Sequence, residues 1–120
     1  MRFRELGAEG PYPKWLRELR GKSGAYVIAA PHWFYTDEPG AILYVGESHT
    51  GRLYQTCSRH FQQWKGRGAG PTYSRAGVLV GIEVTEATDA ITTEARLICE
   101  LEPRDNERGC WDAELEGVPF

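Results

Sequence analysis

The apolar positions of this chain change period from segment to segment, and the changes mark out its elements. Gly24-Ala25-Tyr26-Val27-Ile28 and Ile42-Leu43-Tyr44-Val45-Gly46-Glu47-Ser48 are short apolar runs, each with a tyrosine and a glycine. Both are rich in β-branched and aromatic residues and bounded by turn formers, which predicts strands. A polar, proline-bearing loop over 31–40 joins them, so an antiparallel hairpin is expected. Strand side chains alternate with period two, so one tyrosine from each strand can meet on one face. Val78-Leu79-Val80-Gly81-Ile82-Glu83-Val84 is a third strand by the same criteria.

Three segments carry a helical period instead. Pro13 opens a short helix over 14–20 that Gly21 closes, with Trp15, Leu16 and Leu19 as its buried face. Gly51 leads into a helix expected over 52–65. At about 100° per residue, Leu53, Cys57, His60, Phe61 and Trp64 gather on one side of it. Thr56 sits at the edge of that stripe near His60, with Arg52, Arg59 and Gln63 just beyond. A last helix is expected over 89–101, stopping before Pro103. Its apolar positions are Ala87, Ala90, Ile91, Ala95, Ile98 and Leu101, and Glu94 falls in the middle of them. A carboxylate centred on a core-facing stripe is costly unless paired. An ion pair with an arginine, exposure at the edge of the core, or a bound cation would each account for it.

With 120 residues the chain suits one domain with one real core. Hydrophobic content of 41% argues against wholesale disorder. No apolar run is long enough to span a membrane, and residues 1–5 do not begin a signal peptide, so a cytoplasmic protein is expected. Residues 1–10 show no period and are expected to form an arm outside the fold. Cys57, Cys99 and Cys110 lack metal-ligand spacing, and the first two read as small buried residues of helices.

The net charge of −3 argues against a protein that coats nucleic acid, but its distribution changes the picture. Residues 48–82 contain no Asp or Glu and carry Arg52, Arg59, Lys65, Arg67 and Arg75; residues 83–120 hold eleven acids against three bases. A basic face could meet phosphate; equally, it could be a solvated helix face. The glycine-rich loop over 66–70, flanked by Lys65 and Arg67, is a candidate for contact with nucleic acid, but lacks the Gly-Lys-Ser/Thr ending of a P-loop.

Taken together the pieces resemble the GIY-YIG nuclease domain. Its two strand motifs match Gly24-Ala25-Tyr26 and Tyr44-Val45-Gly46. The helix His/Tyr position matches His60 in Ser58-Arg59-His60-Phe61. The glutamate of the last helix matches Glu94 in Glu94-Ala95-Arg96-Leu97-Ile98. The closing Pro-Arg-Xaa-Asn pattern matches Pro103-Arg104-Asp105-Asn106. The match spans 23–106, with a short N-terminal helical extension and a C-terminal tail outside it. The resemblance implies a single α+β domain, a small three-stranded antiparallel sheet flanked by helices.

The resemblance also implies a metal-dependent endonuclease that hydrolyses phosphodiester bonds in DNA. Glu94 would bind Mg²⁺ or Mn²⁺, which stabilises the phosphoryl and leaving oxygens. Tyr26 would act as general base or position the water, Tyr44 would support it, and His60 would assist proton transfer or hold the phosphate. Gly24, Gly46 and Asn106 would be structural. Arg52, Lys65 and Arg67 are the expected phosphate contacts. One position departs from the family: the arginine expected one turn before His60 is Thr56, which has no charge to stabilise a transition state. Arg52 or Arg59 would have to replace it. Otherwise the chain is a weakened or inactive nucleic-acid-binding module on the same fold. A third reading, in which these residues are ordinary core and surface, leaves their spacing a coincidence. With little chain outside the core, recognition of DNA shape, a homodimer that makes paired cuts, or a separate DNA-recognition partner is the expected source of specificity.

Overall fold

The computed structural model describes residues 1–32, 39–62, 70–107 and 109. The central strand is β2 (Ser23–Pro31), whose residues 24–29 are buried without a break. Such a run cannot alternate with water, so it needs a layer on each face. On one side β2 pairs antiparallel with β3 (Pro39–Ser48), and on the other with β4 (Leu79–Thr85). The expected hairpin and third strand are therefore present.

Among the described residues the sheet has four strands, not the expected three. Residues Phe3–Glu5 form β1, which pairs antiparallel with β4 and gives the order β1-β4-β2-β3. The segment expected to be a free arm is tied down by Leu6, which is buried, and by Arg75. The Arg75 guanidinium donates to the carbonyls of Gly7 at 2.9 Å and Gly10 at 2.7 Å, and more distantly to that of Leu6. It also lies 4.4 Å from the centre of the Tyr12 ring. Arg75, one of the bases of the acid-free segment, is thus a structural anchor.

Register decides what each face carries. Tyr26 lies opposite Gly46 on β3 and Ile82 on β4; Ile28 lies opposite Tyr44 and Val80. These side chains share the face covered by α1 (Lys14–Arg17), α2 (Leu53–Ser58) and the turns that follow them, through Leu16, Leu19, Leu53, Cys57 and Phe61. Ala25, Val27 and Val45 point to the other face and pack on Leu97 and Ile98 of α3 (Ala90–Leu101). The α3 stripe is rotated slightly from the one expected: Ala90, Thr93, Glu94, Leu97 and Ile98 are buried, while Ile91 is exposed. Among the described residues no helix is long and apolar enough to cross a membrane.

The second helix is shorter than its apolar period suggests. After Ser58 the chain tightens into a 3-10 turn over Arg59–Phe61, and Gln62 is extended. The His60 carbonyl, which a continuing helix would give to a residue one turn on, accepts instead from the Tyr73 N–H at 2.7 Å. Cys57 is fully buried, and burial pushes its thiol up; Cys99 is only partly covered, rather than buried as its helical position suggests.

Because Arg75 holds several carbonyls of a loop far away in sequence, its removal should cost more than an average surface substitution. Arg75→Ala is expected to lower unfolding free energy by roughly 2 kcal/mol, the scale of losing charge-assisted hydrogen bonds. Arg75→Lys, which lacks the fork, should recover only part of it. Urea titration of the three proteins measures both differences.

Candidate functional site

Two glycines explain how the tyrosines come together. Gly24 has φ +150, and a Cβ there would strike the Glu83 carbonyl of β4, so only glycine lets the strands approach. Gly46 stands opposite Tyr26, and a Cβ there would overlap the Tyr26 ring. The missing side chain is the space in which that ring lies. Tyr44 is two residues earlier on the same strand and so on the same face. The two rings are 6.2 Å apart, and His60 sits beside both, at 5.5 Å from Tyr26 and 4.7 Å from Tyr44.

The turn before α2 sets where His60 arrives. Ser48 Oγ accepts from the Arg52 N–H at 3.0 Å, Ser23 Oγ accepts from the Gly51 N–H at 3.0 Å, and the Lys22 carbonyl accepts from the Leu53 N–H at 3.1 Å. These bonds hold the first turn of α2 against the ends of β2 and β3.

Hydrogen bonding fixes the protonation of the centre. His60 Nδ1 is 2.7 Å from the Pro71 carbonyl, which can only accept, so Nδ1 carries a proton. Burial lowers the His60 pKa, partly offset by the Pro71 bond, while Arg59 lowers it further, so the ring is neutral near pH 7. Nε2 then holds a lone pair, and the Tyr26 hydroxyl donates to it at 2.7 Å. The Thr56 carbonyl, 3.5 Å from the same hydroxyl, is a poor second acceptor. Burial raises the Tyr26 pKa well above its ordinary value; Glu94 adds to the rise and Arg59 opposes it. The resting state is a neutral phenol donating to a neutral imidazole.

The sequence-predicted residues separate into two layers. Tyr26 is only 1% exposed and His60 only 3%, so both lie beneath the surface. Tyr44 and Glu94 line an open cleft of about 510 Å³, with Gly70, Pro71, Asp105, Asn106 and Glu107 around it. Tyr44 and Glu94 thus stand in the wall of the cleft, with the Tyr26–His60 pair behind Tyr44. Asn106 is structural: Oδ1 accepts from the Val45 N–H and Nδ2 donates to the Val45 carbonyl, both at 2.9 Å. With Arg104 and Asp105 donating to the carbonyls of Ile42 and Leu43, this segment pairs with the open edge of β3.

Arg52 and Arg59 are not in that cleft. They line a separate groove of about 470 Å³ outside α2, with Tyr54, Gln55, Ser58 and Gln62. Among the described residues the buried Gln55 Oε1 finds no hydrogen-bond partner. Arg59 is still close enough to lower the pKa of both Tyr26 and His60. Lys65 and Arg67 lie outside the described residues. Tyr73 was missed from sequence: its ring is 6.4 Å from His60, and its hydroxyl donates to Asp105. Nothing in the Pro71-Thr72-Tyr73 stretch signals that role locally, because its partners are distant in sequence.

Among the described residues no group of three or more His, Cys, Asp and Glu converges as a metal-ligand set. Mg²⁺ commonly uses one or two carboxylates, with waters and substrate phosphate filling the rest. Glu94, 9% exposed in the wall of the cleft, fits that mode of binding. Comparison of the chain with protein-family models, with curated proteins and with solved structures finds no match in any of the three.

Two outcomes follow from this packing. Gly46→Ala should displace the Tyr26 ring, cost about 1–3 kcal/mol by overpacking, and break the bond to His60; urea titration with a crystal structure of the variant checks both. The His60 pKa is lower folded than unfolded, so the unfolded chain takes up the proton first as pH falls below about 6.5. The stability His60 contributes is complete above that value and lost below it. Unfolding free energy should therefore fall between pH 7 and 5, less steeply in His60→Gln.

Proposed function

We propose that this chain is a divalent-metal-dependent endonuclease of the GIY-YIG kind, hydrolysing phosphodiester bonds in DNA. The observation that carries the proposal is the shared cleft of Tyr44 and Glu94, with Tyr26 and His60 packed directly behind Tyr44. The order of motifs along the chain and the fit of Gly46 to the Tyr26 ring support it.

In this mechanism Glu94 would hold Mg²⁺ or Mn²⁺, which when bound supplies charge stabilisation to the phosphoryl and leaving oxygens. Tyr44, half-buried with its ring on His60, orients the attacking water from the cleft wall. Its position favours it over the buried Tyr26 as the tyrosine that touches substrate. Tyr26 and His60 fix the ring from behind. Arg59 replaces the positive charge absent at Thr56, its field already reaching the centre. Arg52 binds flanking phosphate in the outer groove. DNA specificity comes from a second copy of the chain or a separate partner, and the protein works in the cytoplasm.

One arrangement favours the alternative of a binding module without cleavage. The arginines and Glu94 line different clefts, and Asp105 and Glu107 make the cleft of Glu94 acidic.

Nicking of supercoiled plasmid separates the two. The wild-type protein should cut with Mg²⁺ or Mn²⁺ and not with EDTA. Glu94→Ala should abolish cutting, and Arg59→Ala, which removes a charge acting from outside the cleft, should slow it by less than the roughly 10²-fold of a lost transition-state donor. Cutting by Thr56→Arg but not by the wild type would mark a site that has lost its electrostatic clamp. Cutting that survives Glu94→Ala or EDTA would overturn the metal-dependent reading.

A further inference from the structure

Tyr73 and Asp105 have no part in the chemistry just proposed, yet they connect both walls of the site. Residues 70–73 present the Pro71 carbonyl that receives the His60 Nδ1 proton. Two hydrogen bonds of Tyr73 hold that segment: its N–H donates to the His60 carbonyl and its hydroxyl to Asp105 Oδ2, both at 2.7 Å. Asp105 is fixed in turn. Its N–H donates to the Leu43 carbonyl at 2.8 Å, and its carboxylate accepts from Arg104 Nε at 2.7 Å and from a terminal Arg104 nitrogen at 2.9 Å. A continuous path thus runs from the edge of β3 through Asp105 and Tyr73 to the imidazole.

The charges agree with the geometry. Arg104, then Tyr73, holds the Asp105 carboxyl below its usual range; burial, then Asp105, pushes the Tyr73 phenol up. The proton stays on Tyr73 and the charge on Asp105, which makes this bond charge-assisted and roughly twice as strong as a neutral one. Among the described residues Tyr26, Tyr44 and Arg59 also face His60; of these Tyr26, donating to Nε2, favours the same tautomer, and the Pro71 carbonyl is the acceptor that holds the Nδ1 proton.

We infer that Tyr73 is a positioning residue of the site: anchored on Asp105, it holds residues 70–73 so that the Pro71 carbonyl keeps the imidazole proton on Nδ1 and leaves Nε2 to accept from Tyr26. The consequence for cleavage rests on the function proposed above. The positioning itself does not, and its test needs neither DNA nor metal.

The test is nuclear magnetic resonance of protein labelled with ¹⁵N-histidine, with the His60 signals assigned by their absence in His60→Gln. In the wild type, His60 should show one tautomer, with a slowly exchanging Nδ1 proton. Tyr73→Phe and Asp105→Ala should give mixed tautomers and exchange roughly tenfold faster or more, the scale of one lost charge-assisted hydrogen bond. Asp105→Asn, which keeps an acceptor but not the charge, should fall between the wild type and Asp105→Ala. Phe3→Ala, on the far edge strand, controls for loss of stability alone and should also retain it. An unchanged tautomer in both Tyr73→Phe and Asp105→Ala would overturn the inference. So would the same change appearing in Phe3→Ala.

Discussion

The hydrogen bond from the buried Tyr26 hydroxyl to His60 Nε2 is the interaction on which the arrangement of this molecule depends. It joins the central strand to the turn that ends α2, across a gap that exists because position 46 has no side chain. A phenol and an imidazole taken out of water each lose solvation, and each must find a partner inside. Here they satisfy one another, with the Pro71 carbonyl taking the remaining ring proton. The result is a neutral pair with a defined donor and acceptor, packed against the back of a tyrosine that faces solvent.

The second constraint is that β2 is covered on both faces. One core, under α1 and α2, positions Tyr26, Tyr44 and His60; the other, under α3, positions Glu94. Tyr44 and Glu94, from opposite faces, meet in the cleft beside residues 105–107, next to the edge of β3. The same edge is protected by residues 104–106, whose backbone and Asn106 side chain complete the hydrogen bonds of β3. The cleft and the protected edge are thus one construction.

Much of the fold was legible because it is written in local period. Strands β2, β3 and β4 and the buried face of α2 follow from alternation and helical spacing alone. Glu94 was visible as a charge inside an apolar stripe. What escaped prediction depends on contacts between residues far apart in sequence. β1 is three residues long; it pairs with β4, and the loop after it is held by Arg75, some seventy positions away. The early end of α2 follows from Tyr73 taking the His60 carbonyl, and no composition rule near Ser58 announces it. The layering of the site was hidden for a related reason: period places Tyr26 and Tyr44 on one face, but only packing makes one buried and the other open.

The central claim is that Tyr44 and Glu94 form one metal-binding, substrate-facing cleft. Paramagnetic broadening by Mn²⁺ tests it most directly, recorded on ¹⁵N-labelled protein with a short DNA duplex present. The account predicts selective loss of the amide signals of Tyr44, Glu94 and Asn106 at low Mn²⁺, and no such loss in Glu94→Gln. Broadening centred elsewhere, or unchanged in Glu94→Gln, would contradict it.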